Sequence, residues 1–369
     1  MKTSYIRALG ALGSALVLST LSAVATPSST RRATVCNGHA DLCARSYGAL
    51  AYVGTHNSYA VGVNLCASFT FKLSVTQQLN DGVRMLQVQA HDEDGVVKLC
   101  HTDCRLYDGG SFKNYLTTVK SWLDANPNEV LSLLIVNSNN LPASTYGAIY
   151  AETGLDVISY RPPSSPLPAA EWPTLGELID TNQRVVSFLS TTANMAEVPY
   201  LIDEFANVWE TAFNVLDPNL FDCTVNRTRG DSSTQLFLIN HFLDKLVLGQ
   251  PVPDIAKLNV TNAQTGFGSL GAHVETCVAL HGRVPNFLLV DYYEFGAGSV
   301  FEVAAGINGV TYAPATPIVE PMPTAVGTQT RAAADSGGAA LPPLLQGAHW
   351  AAGMSLLVGS ALIAPLLVF

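Results

Sequence analysis

Charge is scarce in this 369-residue sequence: 13% of its side chains are charged, and the 19 Lys and Arg are outnumbered by 29 Asp and Glu. A chain at −10 with no Lys/Arg run has no footprint for releasing counterions from a phosphate backbone, which argues against nucleic acid as a partner. No GxGxxG or P-loop follows an early strand-like segment, so the usual reason for an open doubly wound sheet is missing. There is no GxSxG nucleophile elbow, which discounts a serine hydrolase. No internal repeat of fixed period appears, which discounts a solenoid. The acidic run Asp92-Glu93-Asp94-Gly95 lacks EF-hand spacing and reads as a hydrophilic connection between strands.

Apolar stretches are concentrated at the two ends. Residues 1–25 combine a basic start, a short apolar run and the small-residue site Ala23-Val24-Ala25, the pattern of a secretory signal peptide. Residues 26–35 form a short linker or pro-segment, in which Arg31-Arg32 is either a processing site or a solvated pair. At the other end, residues 350–369 carry no charge and are long enough to span a bilayer. With nothing basic after them, and with small residues upstream around Ser336, residues 341–369 read as a signal for attaching a glycosylphosphatidylinositol anchor at Ser336; an ordinary membrane tail is the alternative. Residues 313–340, rich in Pro, Ala, Thr and Gly, read as a stalk. The expected location is outside the cell, at the outer face of the plasma membrane or the cell wall.

Between these segments lies one body, residues 36–312, of a size that suits a single α/β domain and a monomer. Seven cysteines in a secreted chain imply disulfides. Proximity suggests Cys36–Cys43 and Cys100–Cys104, with Cys223–Cys277 as a long-range pair and Cys66 left over, although spacing does not determine connectivity. Asn226 and Asn259 head glycosylation sequons.

Strand-like apolar runs recur at 50–56, 83–90, 96–101, 130–137, 184–190, 235–241 and 286–293, with helical segments between several of them. In one of these, Ser111 can cap a helix whose Phe112, Leu116, Val119, Trp122 and Leu123 share a stripe, before Asn126-Pro127 breaks it. Alternating strands and helices imply a parallel sheet. Polar residues gather at the strand ends: His56, His101, Asn137, His241 and Asp291. That placement is the mark of a barrel whose site lies on the carboxyl-terminal face, and it predicts an irregular TIM-type (β/α)8 barrel. Gln87, Gln89 and His91 alternate with Leu86, Val88 and Ala90, so strand geometry turns all three to one face, while Arg84 and Lys98 should point away from the site.

GTHNSY (54–59), QLNDGVRMLQVQAH (78–91), KLCHTDC (98–104) and NPNEVLSLLIVN (126–137), in that order, with NFLLVDYYEFG (286–296) later, resemble the X-region of the phosphatidylinositol-specific phospholipase C-like phosphodiesterases, and most of all its secreted fungal members. The resemblance implies a general base at His56, a general acid at His101 and a carboxylate at Asp291 that orients the base. Imidazole suits both proton roles because its pKa lies near working pH. The expected substrate is a phosphodiester, either a phosphoinositide or a glycosylphosphatidylinositol-like molecule, contacted by Asn57, Gln87, Gln89, Asn137 and Tyr293. His91 could join the site or simply begin a solvated turn, whereas His241 and His281 read as structural.

The resemblance is incomplete at the charged positions. Where eukaryotic relatives hold calcium with carboxylates and bacterial ones use an arginine, this chain has Gln87 and Gln89, and Val136-Asn137 replace a further acidic ligand. Calcium prefers several carboxylate oxygens, so no calcium and no other cofactor is expected. A catalytically weak barrel that binds a phosphorylated sugar or glycan is the alternative function.

Overall fold

The computed structural model describes Met1, residues 32–61 and residues 73–318. The expected signal peptide, Cys66, Ser336, the C-terminal tail and most of the linker and stalk lie outside the described residues.

Eleven strands are described. Eight run parallel in one sheet: β1 (Tyr52–Thr55), β2 (Met85–Glu93), β4 (Leu131–Asn137), β5 (Val185–Leu189), β6 (Leu201–Asp203), β7 (Val208–Glu210), β8 (Leu236–His241) and β11 (Phe287–Val290). Their spatial order, β6-β5-β4-β2-β1-β11-β8-β7, follows chain order around a ring in which the first strand pairs with the last. Among the described residues the only neighbours in this ring without a ladder are β6 and β7, joined by the single turn α5 (Glu204–Asn207). The architecture is therefore an irregular TIM-type barrel with one seam. The other helices are α1 (Val75–Asp81), α2 (Phe112–Ala125), α3 (Ala143–Thr153), α4 (Leu175–Asp180), α6 (Leu258–Thr261), α7 (Leu270–His281) and α8 (Ser299–Asn308).

Strand alternation sorts the core into two layers. Tyr52, Met85, Leu134, Phe188, Leu238 and Phe287 fill the barrel, while Val53, Leu86, Val88, Ile135, Leu288 and Val290 pack with Leu116, Val119 and Phe301 of α2 and α8. The expected helix after Ser111 is α2: the Ser111 side chain accepts from the Asn114 N–H, and the buried stripe is the one its spacing predicts. Capping of this kind stabilises a helix by about 1 kcal/mol.

One strand is placed differently from its sequence reading. β3 (Val96–Leu99) runs antiparallel to β2 and is not a barrel stave. Asp94 and Gly95, both at positive φ, form the tight turn between them, while Asp92 and Glu93 still pair with Val97 and Val96, so the acidic run is the end of β2 and its hairpin turn. The hairpin folds back on β2, and the Cys100 N–H bonds the Gln89 carbonyl, which returns His101 to the mouth of the barrel. Among the described residues the disulfides are Cys36–Cys43, Cys100–Cys104 and Cys223–Cys277.

Candidate active site

In the β1–β11 ladder Thr55 lies opposite Val290, so the next residues, His56 and Asp291, face each other at the carboxyl-terminal mouth. Their contact is His56 Nδ1 to Asp291 Oδ1 at 3.1 Å, with side-chain exposures of 13% and 2%. A carboxylate can only accept, so Nδ1 carries the proton and Nε2 is the lone-pair nitrogen. The Asn57 amide agrees with this tautomer, donating to Nε2 at 3.2 Å. Phe242 stacks on the imidazole at 4.3 Å and 6°, fixing the plane of the ring.

The turn that carries His56 is held from below. Asn57 sits at φ +45, and its N–H donates to the Gln87 amide oxygen at 2.6 Å. The Ser58 hydroxyl bonds the Gln87 carbonyl and Tyr115, and the Gln78 amide donates to the Ser58 carbonyl at 2.8 Å. Gln87, buried on the inward face, thus uses its amide oxygen to position the turn. Gln89 also faces inward, is half-buried, and its side chain makes no hydrogen bond to a described residue.

His101 lies where His56, His91 and Asp291 all act on it electrostatically, and burial first, then the two neighbouring imidazoles, push its pKa down to about 4. Its Nδ1 is paired with Thr102 Oγ1 at 2.9 Å. His91, facing inward two residues beyond Gln89, has a buried Nε2 without a hydrogen-bond partner, and burial lowers its pKa.

Two expected contacts are corrected. Asn137 belongs to the outward parity of β4: its amide donates to Leu141 O and Thr192 Oγ1, and its oxygen accepts from Tyr146, so it ties a loop to the helix layer. Tyr293 is turned away as well, because Tyr292 at φ +48 breaks the alternation after Asp291. Its hydroxyl donates to Asp81 of α1 at 2.7 Å. Lys98 pairs with Asp108, Arg84 with Glu129 beneath Trp122, and His241 bonds Thr261 O and His273 in the helix layer.

Asp244 was not anticipated. The inward parity of β8 runs through Leu236, Leu238 and Asn240, and its continuation past the strand reaches Phe242 and Asp244, which was the signal available in the sequence. Asp244 is 4% exposed, and burial, then Asp291, push its pKa up to about 7, with His56 pulling the other way. For calcium, the donor set is a poor fit: the Gln87 oxygen holds Asn57, Asp291 holds His56, and Asn137 faces outward. A separate cavity of about 620 Å³ opens toward the amino-terminal ends of β1 and β2, beside Asp81, Arg84 and Tyr312, and contains neither His56 nor His101.

A family model described as PI-PLC X 1 matches residues 42–308. The chain belongs to this PI-PLC X family. A protein of Arthroderma benhamiae named PI-PLC X domain-containing protein 1 is 41% identical over 313 residues, covering 84% of this chain and 100% of the relative. An uncharacterized secreted protein of the same organism is 43% identical over 296 residues, covering 78% of this chain and 66% of that one. Among solved structures, the phosphatidylinositol-specific phospholipase C of Listeria monocytogenes aligns with a TM-score of 0.48 and 15% identity, covering 73% of this chain and 96% of the other. The PI-PLC X match spans the residues that build the mouth, from His56 to Asp291.

Proposed function

We propose that the chain is a metal-independent phosphodiesterase in which His56 is the base and His101 the acid, acting on a phosphoinositide or related phosphodiester outside the cell. The observation that carries this reading is the His56–Asp291 pair, which leaves Nε2 as the basic nitrogen at the barrel mouth. A substrate hydroxyl next to the phosphodiester displaces the Asn57 amide from Nε2, gives its proton to that nitrogen and attacks phosphorus. The bond from phosphorus to the leaving oxygen breaks as His101 protonates that oxygen, giving a cyclic diester and a free alcohol. Asp291 stabilises the imidazolium that His56 becomes. Because His101 is neutral in the free protein near pH 7, the anionic diester itself draws in the proton that His101 later donates.

His56→Ala and His101→Ala should each lower turnover of phosphatidylinositol by about 10²–10⁴-fold. A diester whose leaving group needs no proton should partly rescue His101→Ala but not His56→Ala. Equal turnover in wild type and both variants would reject the mechanism, and abolition by chelator with rescue by calcium would reject its metal independence. A second reading, a barrel that binds a phosphorylated sugar or glycan, draws support from the engagement of Gln87 with Asn57 and the turning of Lys98 to Asp108. In that case wild type turns over no phosphodiester, and His56→Ala alters only the affinity for inositol phosphate measured by calorimetry.

A further inference from the structure

The two imidazoles of the mouth are held by different means. His56 has the β1–β11 ladder behind it, Asp291 on Nδ1 and Phe242 against its ring, the last just before a ribbon of β9 (Asp244–Val247) and β10 (Gln250–Pro253). His101 stands on the loop past β3, and its Nδ1 lies 2.9 Å from the hydroxyl of its own neighbour, Thr102. Thr102 is in an unfavourable backbone conformation. Its φ is +61, and across it the Asp103 N–H donates to the His101 carbonyl at 2.6 Å, which makes a γ-turn of positive φ, a rare and strained form. A β-branched residue is poorly suited to that region, where glycine would be unstrained. Packing does not account for the threonine either, since Thr102 is exposed and among the described residues its one side-chain hydrogen bond is to His101.

Backbone strain kept beside a reactive group implies that the side chain is put to use. We infer that Thr102 is the positioning residue of His101, its hydroxyl accepting the Nδ1 proton so that Nε2 is the nitrogen that gives a proton to the leaving oxygen. The acid form of an imidazole carries N–H on both nitrogens, so in that form the hydroxyl can only accept. As the bond from phosphorus breaks, its electron pair stays on the leaving oxygen and takes the Nε2 proton, while Nδ1 keeps its own. The choice of partner also suits the role. Asp291 stabilises a cation on His56, which makes that ring the stronger base. A neutral hydroxyl gives no such support, which leaves His101 the stronger acid, with His56, His91 and Asp291 as the titratable groups that act on it. The effect on turnover rests on the phosphodiesterase reading, whereas the tautomer of His101 does not.

The test uses protein secreted from the full chain. Thr102→Gly suits the turn and should leave thermal stability unchanged or raised, yet lower turnover of phosphatidylinositol by about tenfold to a hundredfold. Thr102→Val keeps the branched side chain without the hydroxyl and should lose as much, while Thr102→Ser, which keeps the hydroxyl, should recover most of the rate. On a diester whose leaving group needs no proton, the Gly and Val variants should come close to wild type, because only the acid step is impaired. Losses of equal size on both substrates, or a Thr102→Ser as poor as Thr102→Val, would overturn the inference. A second measurement does not need turnover: in protein carrying isotope-labelled histidine, ring-nitrogen NMR shifts should show neutral His101 with its proton on Nδ1 in wild type and Thr102→Ser, and a mixture of tautomers in Thr102→Val. Wild type with the proton on Nε2, or a tautomer unchanged in Thr102→Val, would also overturn it. Inactivity of wild type on every diester would sink the phosphodiesterase reading, and the tautomer would still decide this one.

Discussion

His101 and Asp244 are displaced in opposite directions by the same burial, and that sets how the protein responds to pH. His101 titrates near about 4 when folded, below its ordinary value. Between those values the unfolded chain holds the extra proton, so its stability term is fully present above about pH 6.5 and is lost as pH falls toward 4. Asp244, raised to about 7, behaves in reverse: the folded chain holds the extra proton, and stability is lost as pH rises from about 4 through 7. The two terms oppose each other in the wild type, and single substitutions separate them. Urea unfolding should show Asp244→Asn more stable than wild type by roughly 1–3 kcal/mol at about pH 8 and little changed at about pH 4. His101→Gln should be stabilising at about pH 4 and close to neutral at about pH 8. An Asp244→Asn gain that is equal at both pH values would show that its carboxyl does not titrate in this window.

At the scale of elements, what was legible followed strand parity, and what was hidden lay where parity stops. Gln87, Gln89 and His91 face inward as their alternation predicts, and His56 meets Asp291 because neighbouring strands end in register. Tyr293 faces away because Tyr292 adopts a left-handed conformation that local sequence does not announce, whereas Asn137 faces outward by the alternation of β4 itself, one residue past the inward Val136. β6 and β7 are three residues each, too short to show an alternation. β3 looked like a barrel strand because four apolar-rich residues carry no direction, yet the Asp94-Gly95 turn makes it the return arm of a hairpin. That hairpin, and not a barrel strand, aims His101, with Cys100–Cys104 closing the loop around it. A loop this short contributes at most about 2 kcal/mol by restricting the unfolded chain. Cys100→Ala with Cys104→Ala should therefore lower stability modestly while costing turnover out of proportion, because a misplacement near 1 Å can cost about 10²-fold. Turnover that falls only in step with the folded fraction would show that the disulfide does not position His101.

At the scale of the molecule, the acidic body, the two exposed sequons and the apolar ends must be reconciled with one location. Asn226 and Asn259 are both exposed, so the fold leaves either open to glycosylation. No helix among the described residues is long and apolar enough to cross a membrane. The charge-free segment 350–369 carries the sequence expectation of lipid or membrane attachment, and a release experiment tests it. If residues 341–369 are exchanged for a glycosylphosphatidylinositol anchor at Ser336, treating intact cells with a phospholipase that cuts such anchors should release the protein into the medium. Mass spectrometry of the released protein should then recover peptides of the 36–312 body and none from 350–369. Retention on the cells, with peptides from 350–369 present in the mature protein, would assign the tail to a membrane helix.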